Sequence, residues 1–316
     1  MTNWMLWIGF AFIVLVMLAL DLGVFNRKAH IISFREALLT SLAWIGISLA
    51  FNAAVFYWQG SQSGLEFLTG YLIEKALSVD NLFVFLVIFS YFHVAPELQH
   101  KVLFWGIFGA LLMRGLLIAV GTLLIDTFEW IIYVFGAFLI YTAIKLARQD
   151  DEGVHPEKNP IVNLFRRIVP VSADYHGEKF TLRIGGRLVA TPLLIVLLIV
   201  ETTDLIFALD SIPAIFAVTT NPFIVFTSNV FAILGLRALY FLLAGMLATF
   251  RYLKIGLSFV LGFVGSKMVI TAFEIEIPIL ISLLVIAGIL GVSIGASLVA
   301  VRRERLAETA GDEESL

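Results

Sequence analysis

Apolar residues in this chain are gathered into long runs, roughly 4 to 25, 37 to 57, 67 to 92, 102 to 125, 128 to 147, 192 to 218, 223 to 247, 252 to 273 and 277 to 301. About 20 apolar residues in a helix cross the hydrocarbon core of a bilayer, so each run is long enough for one span. None alternates between apolar and polar positions with period two, as a barrel strand does, and a helix satisfies its own backbone in lipid. The pattern predicts an all-α, polytopic membrane protein of about nine transmembrane helices, one integral domain over residues 1–316. Composition excludes the alternative of a water-soluble globule. The chain is 60% hydrophobic and 14% charged, with a mean hydropathy of +0.98, against about 45–50% and 25% in soluble domains. The first run has neither a basic lead nor a small-residue cleavage site, so it reads as a retained span.

Lys and Arg are disfavoured in translocated loops, and here they alternate. They follow run one (Arg27, Lys28, Arg35), three (Lys101), five (Lys158, Arg166, Arg167, Lys179, Arg183, Arg187), seven (Arg251, Lys254) and nine (Arg302, Arg303, Arg305). The intervening loops QGSQSGLE, DTFE, TTNP and EIEIP carry none. The expected topology has its N-terminus outside and its C-terminus in the cytoplasm. Residues 148–191 form a cytoplasmic loop in which IVNLFRRIVP suits a short interfacial helix, and KFTLRI and RLVATP around Gly185 and Gly186 read as a β-hairpin. Residues 302–316 form a cytoplasmic tail whose stretch after Arg305, AETAGDEESL, is acidic and reads as disordered.

With no cysteine, the chain holds no disulfide, thiolate metal site or thiol redox couple. His30, His93, His100, His155 and His176 all lie in loops, which excludes haem ligation or a histidine proton relay within the bundle. A net charge of -3 gives no reason to expect a nucleic-acid partner.

Ionisable residues inside spans cost about 2.5–3.5 kcal/mol each on insertion scales, so they carry the information. Run three holds Glu74, Lys75 and Asp80; run six holds Glu201, Asp204 and Asp210. Glu74 and Asp80 match Asp204 and Asp210 at an offset of 130, and Asn81 and Ser211 follow the second acid of each pair. Arg114 matches Arg237 at an offset of 123, and Lys145 matches Lys267 at 122. Residues 67–147 and 192–273 therefore read as a duplicated three-helix unit. The loop charges place the two copies in opposite orientations, a 3+3 inverted repeat, which is the architecture of secondary transporters. Six residues of regular helix turn the two acids of a copy about 120° apart, and Pro213 next to Asp210 suggests that run six unwinds there. Asp80 and Asp210 are then expected to converge near the midplane, with Glu74, Asp204 and Asn81 close by. Arg114 and Arg237 are each expected to pair with an acid of their own copy.

Buried acids also serve simply to pair with bases. Yet Glu74, Asp80, Glu201, Asp204 and Asp210 outnumber Lys75, Arg114 and Arg237, and the excess calls for a cation or protons. Lys145 and Lys267 lie within snorkelling reach of the span ends. Met113, Met246 and Met268 suit packing, and Asp21, near a span end, suits an anchor or a gate. Carboxylates, Asn81 and Ser211 are hard oxygen donors that fit Mg²⁺, Mn²⁺ or Ca²⁺.

The strings GYLIEKALSVDNLFVF, ATPLLIVLLIVETTDLIFALDSIPAIFAVTTNPFIVFTSN and FAILGLRALYFLLAGM closely resemble the TerC family of bacterial membrane proteins, in its Alx branch, and the resemblance extends over nearly the whole chain. It implies a LysE-like exporter of the bacterial inner membrane, with manganese efflux as the activity and Mn²⁺ as cargo rather than a resident cofactor. Tellurite resistance and redox modulation are the family's older labels. It also implies that Glu74, Asp80, Glu201, Asp204 and Asp210 handle the metal.

Three classes of function follow. A secondary exporter, not an enzyme, with metal, protons and membrane lipid as partners, accounts for the repeat and the charge excess together. An intramembrane enzyme would need its acids on neighbouring helices or a redox centre. An accessory membrane protein, acting in tellurite resistance, redox modulation or metalation of exported proteins, would give a phenotype without flux.

Overall fold

Lipid offers the backbone no hydrogen-bond partner, so apolar runs of this length fold as helices. The computed structural model describes residues 3–23, 33–128, 130–148, 160–184, 186–244, 252–273, 275 and 277–314. Arg27, Lys28, His30, His155, Lys158, Gly185, Met246 and Arg251 lie outside the described residues, as do the side chains of Asp21, Asp80, Arg166 and Arg305.

The chain opens with α1 (Asn3–Gly23) and the 58-residue α2 (Phe34–Tyr91). Ser33 caps α2 by accepting the Glu36 amide at 3.3 Å. Gly60, at φ 91° and ψ 174°, divides α2 into limbs 34–59 and 61–91. That backbone conformation is open to glycine and strained for other residues. There follow α3 (Pro96–Thr127), α4 (Ile131–Arg148), the short α5 (Pro160–Ile168), strands β1 (Thr181–Ile184) and β2 (Arg187–Ala190), and α6 (Pro192–Phe216). The chain ends with α7 (Pro222–Leu234), α8 (Leu236–Ala244), α9 (Leu253–Ile270) and α10 (Ile279–Glu314). Proline stands in the first turn of α3, α6 and α7, where its missing amide proton costs nothing.

Six helical stretches among the described residues are long and apolar enough to cross a membrane: α3, α4, α6, Pro222–Ala244, α9 and Ile279–Arg303 of α10. This is an all-α, multi-pass membrane protein. α1 and the two limbs of α2 coincide with the remaining apolar runs.

Two expectations are corrected. Run six does not unwind at Asp210, because α6 continues through Pro213 to Phe216. The proline falls in the last turn, where only the Leu209 carbonyl loses its helical partner. The break lies in run seven instead, at Gly235 (φ -85°, ψ 0°) between α7 and α8. The tail is not wholly irregular either, since α10 extends to Glu314 through a stretch rich in Glu, Arg, Leu and Ala, all good helix formers.

α2 packs on α6, α7 and α8; α3 packs on α6 and α7; α4 packs on α9. The α4–α9 crossing is set by two glycines. A Cβ on Gly136 would lie 3.0 Å from the Gly265 carbonyl oxygen, and one on Gly265 would lie 2.8 Å from that of Gly136. Small residues permit such close backbone approach between membrane helices. Gly70 of α2 likewise sits against Ser228 of α7, and Gly106 of α3 against Val200 of α6.

Between α4 and α6, β1 pairs antiparallel with β2 in the register Thr181↔Ala190 to Ile184↔Arg187, and Gly186 has φ 79°. This hairpin is fastened to the α2–α3 turn. The Tyr175 hydroxyl donates to the Phe92 carbonyl at 2.8 Å, and Lys101 donates to the Glu178 carbonyl at 2.6 Å while lying over the Phe180 ring.

Candidate functional site

Residues seven apart in a helix share a face. Glu74 and Asn81 therefore look the same way from α2, with Ser78 between them, and Asp204 and Ser211 do so from α6. Where these two faces meet, α3 contributes Arg114 and α7 contributes Asn229. Glu74, Arg114 and Asp204 are 0%, 1% and 3% exposed, so all three charges are out of reach of solvent.

Arg114 holds the cluster together. Its Nη1 donates to Glu74 Oε1, to Ser211 Oγ at 3.3 Å and to Asn229 Oδ1 at 3.2 Å. Its Nε and Nη2 clasp Asp204 at 3.3 and 3.2 Å, a two-point grip that the planar guanidinium is shaped to make. The amide of Asn229 donates to Glu74 Oε2 at 3.2 Å, that of Asn81 to Asp204 Oδ1 at 3.4 Å, and the Ser78 hydroxyl to Glu74 Oε1 at 3.4 Å. One guanidinium thus faces two carboxylates, one from each of two helices. Arg114 engages Glu74 of its own sequence copy, as expected, and also Asp204 of the other.

Asp210 is not part of this cluster. It stands about 120° round α6 from Asp204 and accepts a 3.0 Å bond from the Thr142 hydroxyl of α4. The expected unwinding would have turned it inward, and α6 stays helical. The Asp80 side chain lies outside the described residues. Glu201 sits one turn before Asp204, pressed against the bare backbone of Gly109 in α3. Its Oε2 is buried without a hydrogen-bond partner among the described residues. Lys75 makes no ion pair within 4 Å of an acid among the described residues and donates to the Ala232 carbonyl at 3.1 Å, at the broken end of α7. Arg237 is buried in α8, two residues past that break. Lys145 is exposed and Lys267 half-buried.

Asn229 and Thr142 were not singled out from sequence. Asn229 carried a signal, as the last of three polar residues, Thr227, Ser228 and Asn229, in an apolar run. Thr142 carried none, because threonine commonly bonds its own helix backbone. Among the described residues no three Asp, Glu or His side chains stand close enough to hold a metal ion together. The cation in the cluster is the guanidinium, and a metal could reach the Glu74 and Asp204 oxygens only by displacing it.

Residues 59–305 match the family described as "Integral membrane protein TerC family". The chain belongs to the TerC family. Among its relatives, the "Uncharacterized membrane protein STKORF319" of Myxococcus xanthus is 54% identical over 94% of this chain and 93% of its own. The protein of Escherichia coli (strain K12) named "Putative membrane-bound redox modulator Alx" is 50% identical over 90% of this chain and 92% of its own. Its namesake from Salmonella typhi is 50% identical over 92% of each chain. These relatives place the chain beside the Alx members of the family. No solved structure matches it.

Proposed function

We propose that this TerC-family protein is a secondary transporter that exports divalent metal, Mn²⁺ in particular, across the bacterial inner membrane in exchange for protons. The observation that carries the reading is the buried Glu74–Arg114–Asp204 cluster, in which two acids related by a 130-residue offset meet on one guanidinium. Such a cluster holds one positive charge against two negative ones, and an internal cation of this kind is exchangeable for an external one.

The helix packing supports a 3+3 inverted repeat, the nine apolar runs support a nine-span bundle, and the loop charges support an outside N-terminus and a cytoplasmic C-terminus. The first helix of each copy meets the second helix of the other, Gly70 of α2 with Ser228 of α7 and Val200 of α6 with Gly106 of α3. Gly136 and Gly265 bring runs five and eight, the third helix of each copy, into contact with each other. Inverted repeats of this kind enclose a midplane site.

In this reading Mn²⁺ enters as Arg114 withdraws, taking oxygens from Glu74, Asp204, Asn81 and Ser211. Asp80, Asp210 and Glu201 line its path, and Arg237, Lys75 and Asp21 balance or gate charge. Carrying two charges outward against a negative interior costs about 4.6 kcal/mol per 100 mV, so a coupled gradient must drive export. Carboxylates that give up protons as metal binds, and regain them from outside, supply that coupling.

The test is flux into liposomes holding the purified protein and a manganese-sensitive dye, with and without an imposed pH gradient. Asp204→Asn and Asp210→Asn are expected to abolish uptake while leaving membrane insertion intact. Uptake that ignores an uncoupler refutes the proton exchange. No uptake by the wild type refutes transport and favours an accessory role, in tellurite resistance, metalation of exported proteins or redox modulation, the last being what the name of the Alx relatives says of them.

A further inference from the structure

The loop between α4 and α6 carries a surface that the transport reading leaves unused. On α5, which packs on α6, Phe165 turns into the hydrophobic core. Leu164 and Ile168, one turn apart, form a separate stripe that is 58% and 72% exposed, and Arg167 beside them is exposed too. At the hairpin tip Ile184 pairs with Arg187, and Arg183 with Leu188. Paired residues point to the same side of a sheet, so each face of the tip presents one aliphatic side chain and one arginine. All four are exposed.

The height of this surface follows from its attachments. Tyr175 is bonded to Phe92 at the end of α2, Lys101 in the first turns of α3 is bonded to Glu178, and β2 ends two residues before α6 begins. All three attachments lie at span ends on one side of the bundle, where Tyr91 and Trp105 are also exposed. Exposed aromatic residues at span ends mark the headgroup layer. A four-residue strand reaches about 13 Å, so the tip stays within range of that layer. Among the described residues 160–190 the exposed acids are Asp174 and Glu178, and Glu178 is engaged by Lys101; Lys179 adds a further exposed cation, so this stretch is basic on balance. Aliphatic side chains interleaved with arginines at this height match the acyl boundary and the phosphates above it.

We propose that the α5 stripe and the hairpin tip insert into the headgroup layer of the surrounding bilayer and bind anionic phospholipid. Leu164, Ile168, Ile184 and Leu188 enter the acyl boundary, while Arg167, Arg183 and Arg187 hold phosphates.

The absence of cysteine from the chain gives a clean experiment. Leu164→Cys, Ile168→Cys, Ile184→Cys and Leu188→Cys are made singly in the full-length protein and carry a fluorophore. Each is reconstituted in vesicles of phosphatidylcholine alone or mixed with phosphatidylglycerol, with brominated lipids as quenchers. Val292→Cys, on the lipid-facing side of α10 and 72% exposed, serves as the quenched control. The four loop labels are expected about 5–10 Å into the interface, with quenching several-fold stronger when phosphatidylglycerol is present. Adding Arg183→Gln and Arg187→Gln is expected to erase that lipid dependence. Labels that stay in water in both vesicles, or are shielded only by an added soluble protein, would overturn the insertion. Equal quenching in both vesicles would overturn the anionic preference. None of these readouts depends on transport.

Discussion

The helices carrying Arg114 and Arg237 correspond in sequence at an offset of 123 residues but differ in form. α3 runs unbroken for 32 residues through Arg114, whereas its counterpart stops at Gly235, two residues before Arg237, and restarts as α8. The cause lies across the bundle. In an intact helix the Ala232 carbonyl would accept the Leu236 amide; here Lys75 donates to it instead, at 3.1 Å. The residue 130 positions beyond Lys75 is Leu205, which has no proton to offer, and the helix it would face stays intact. One lysine present in one copy only is thus enough to stabilise a one-sided break. The bundle thus has a broken helix on one side of its buried ion cluster and an unbroken one on the other.

The largest effect tests the unbroken side. Arg114→Met and Arg114→Gln each leave Glu74 and Asp204 buried together with no cation between them, and removing the partner of a buried charge costs about 3–5 kcal/mol. Thermal unfolding in detergent is expected to fall sharply for both, and an unchanged midpoint would remove Arg114 as the organising charge. Next come the glycines at the α4–α9 crossing. Gly136→Ala and Gly265→Ala each press a methyl group on the opposing carbonyl, for about 1–3 kcal/mol of overpacking. The two losses are expected to be similar, and a clear inequality would break the reciprocity. The break comes third. Lys75→Met strips the Ala232 carbonyl of its partner, at about 1–3 kcal/mol for an unsatisfied buried group. Adding Gly235→Ala favours a continuous helix by about 1 kcal/mol. The double variant is expected to recover stability while losing flux, and retained flux would show that the break is not used.

The smallest effect concerns the loop's fastening. Tyr175→Phe removes one hydrogen bond to Phe92, about 1 kcal/mol, and hydrogen exchange in 172–190 is expected to rise while the bundle is unaffected. Burial pushes the Tyr175 phenol above its ordinary value of 10.0. Its contribution is therefore fully present below pH 10 and is lost as pH rises through the folded-state value. Loosening of the loop at neutral pH would contradict this.

Much of the candidate site was legible as spacing. Glu74 with Asn81 and Asp204 with Ser211 stand seven apart, so a shared face could be read directly from the chain. The direction of Asp210 was half legible. Its 120° separation from Asp204 was evident, but Pro213 suggested that unwinding would reunite the two acids. Near a helix end a proline breaks little, so α6 stays regular and its two acids serve different neighbours, Arg114 and Thr142. Asn229 and Lys75 could not be placed, because their partners depend on which helices touch.

The sequence by itself determined that the chain is an all-α membrane protein, which residues sit at bilayer depth, and that two stretches share polar positions at fixed offsets. Those properties follow from local hydrophobicity and helical periodicity, which act over a few turns. The tertiary structure decided which charge neutralises which. Arg114 reaches Glu74 and Asp204 across separations of 40 and 90 residues, and no helical period spans such distances. It also decided where the bundle breaks, at Gly235, where the ammonium group of Lys75, 157 residues away from Ala232 in the chain, takes a carbonyl that the break leaves free.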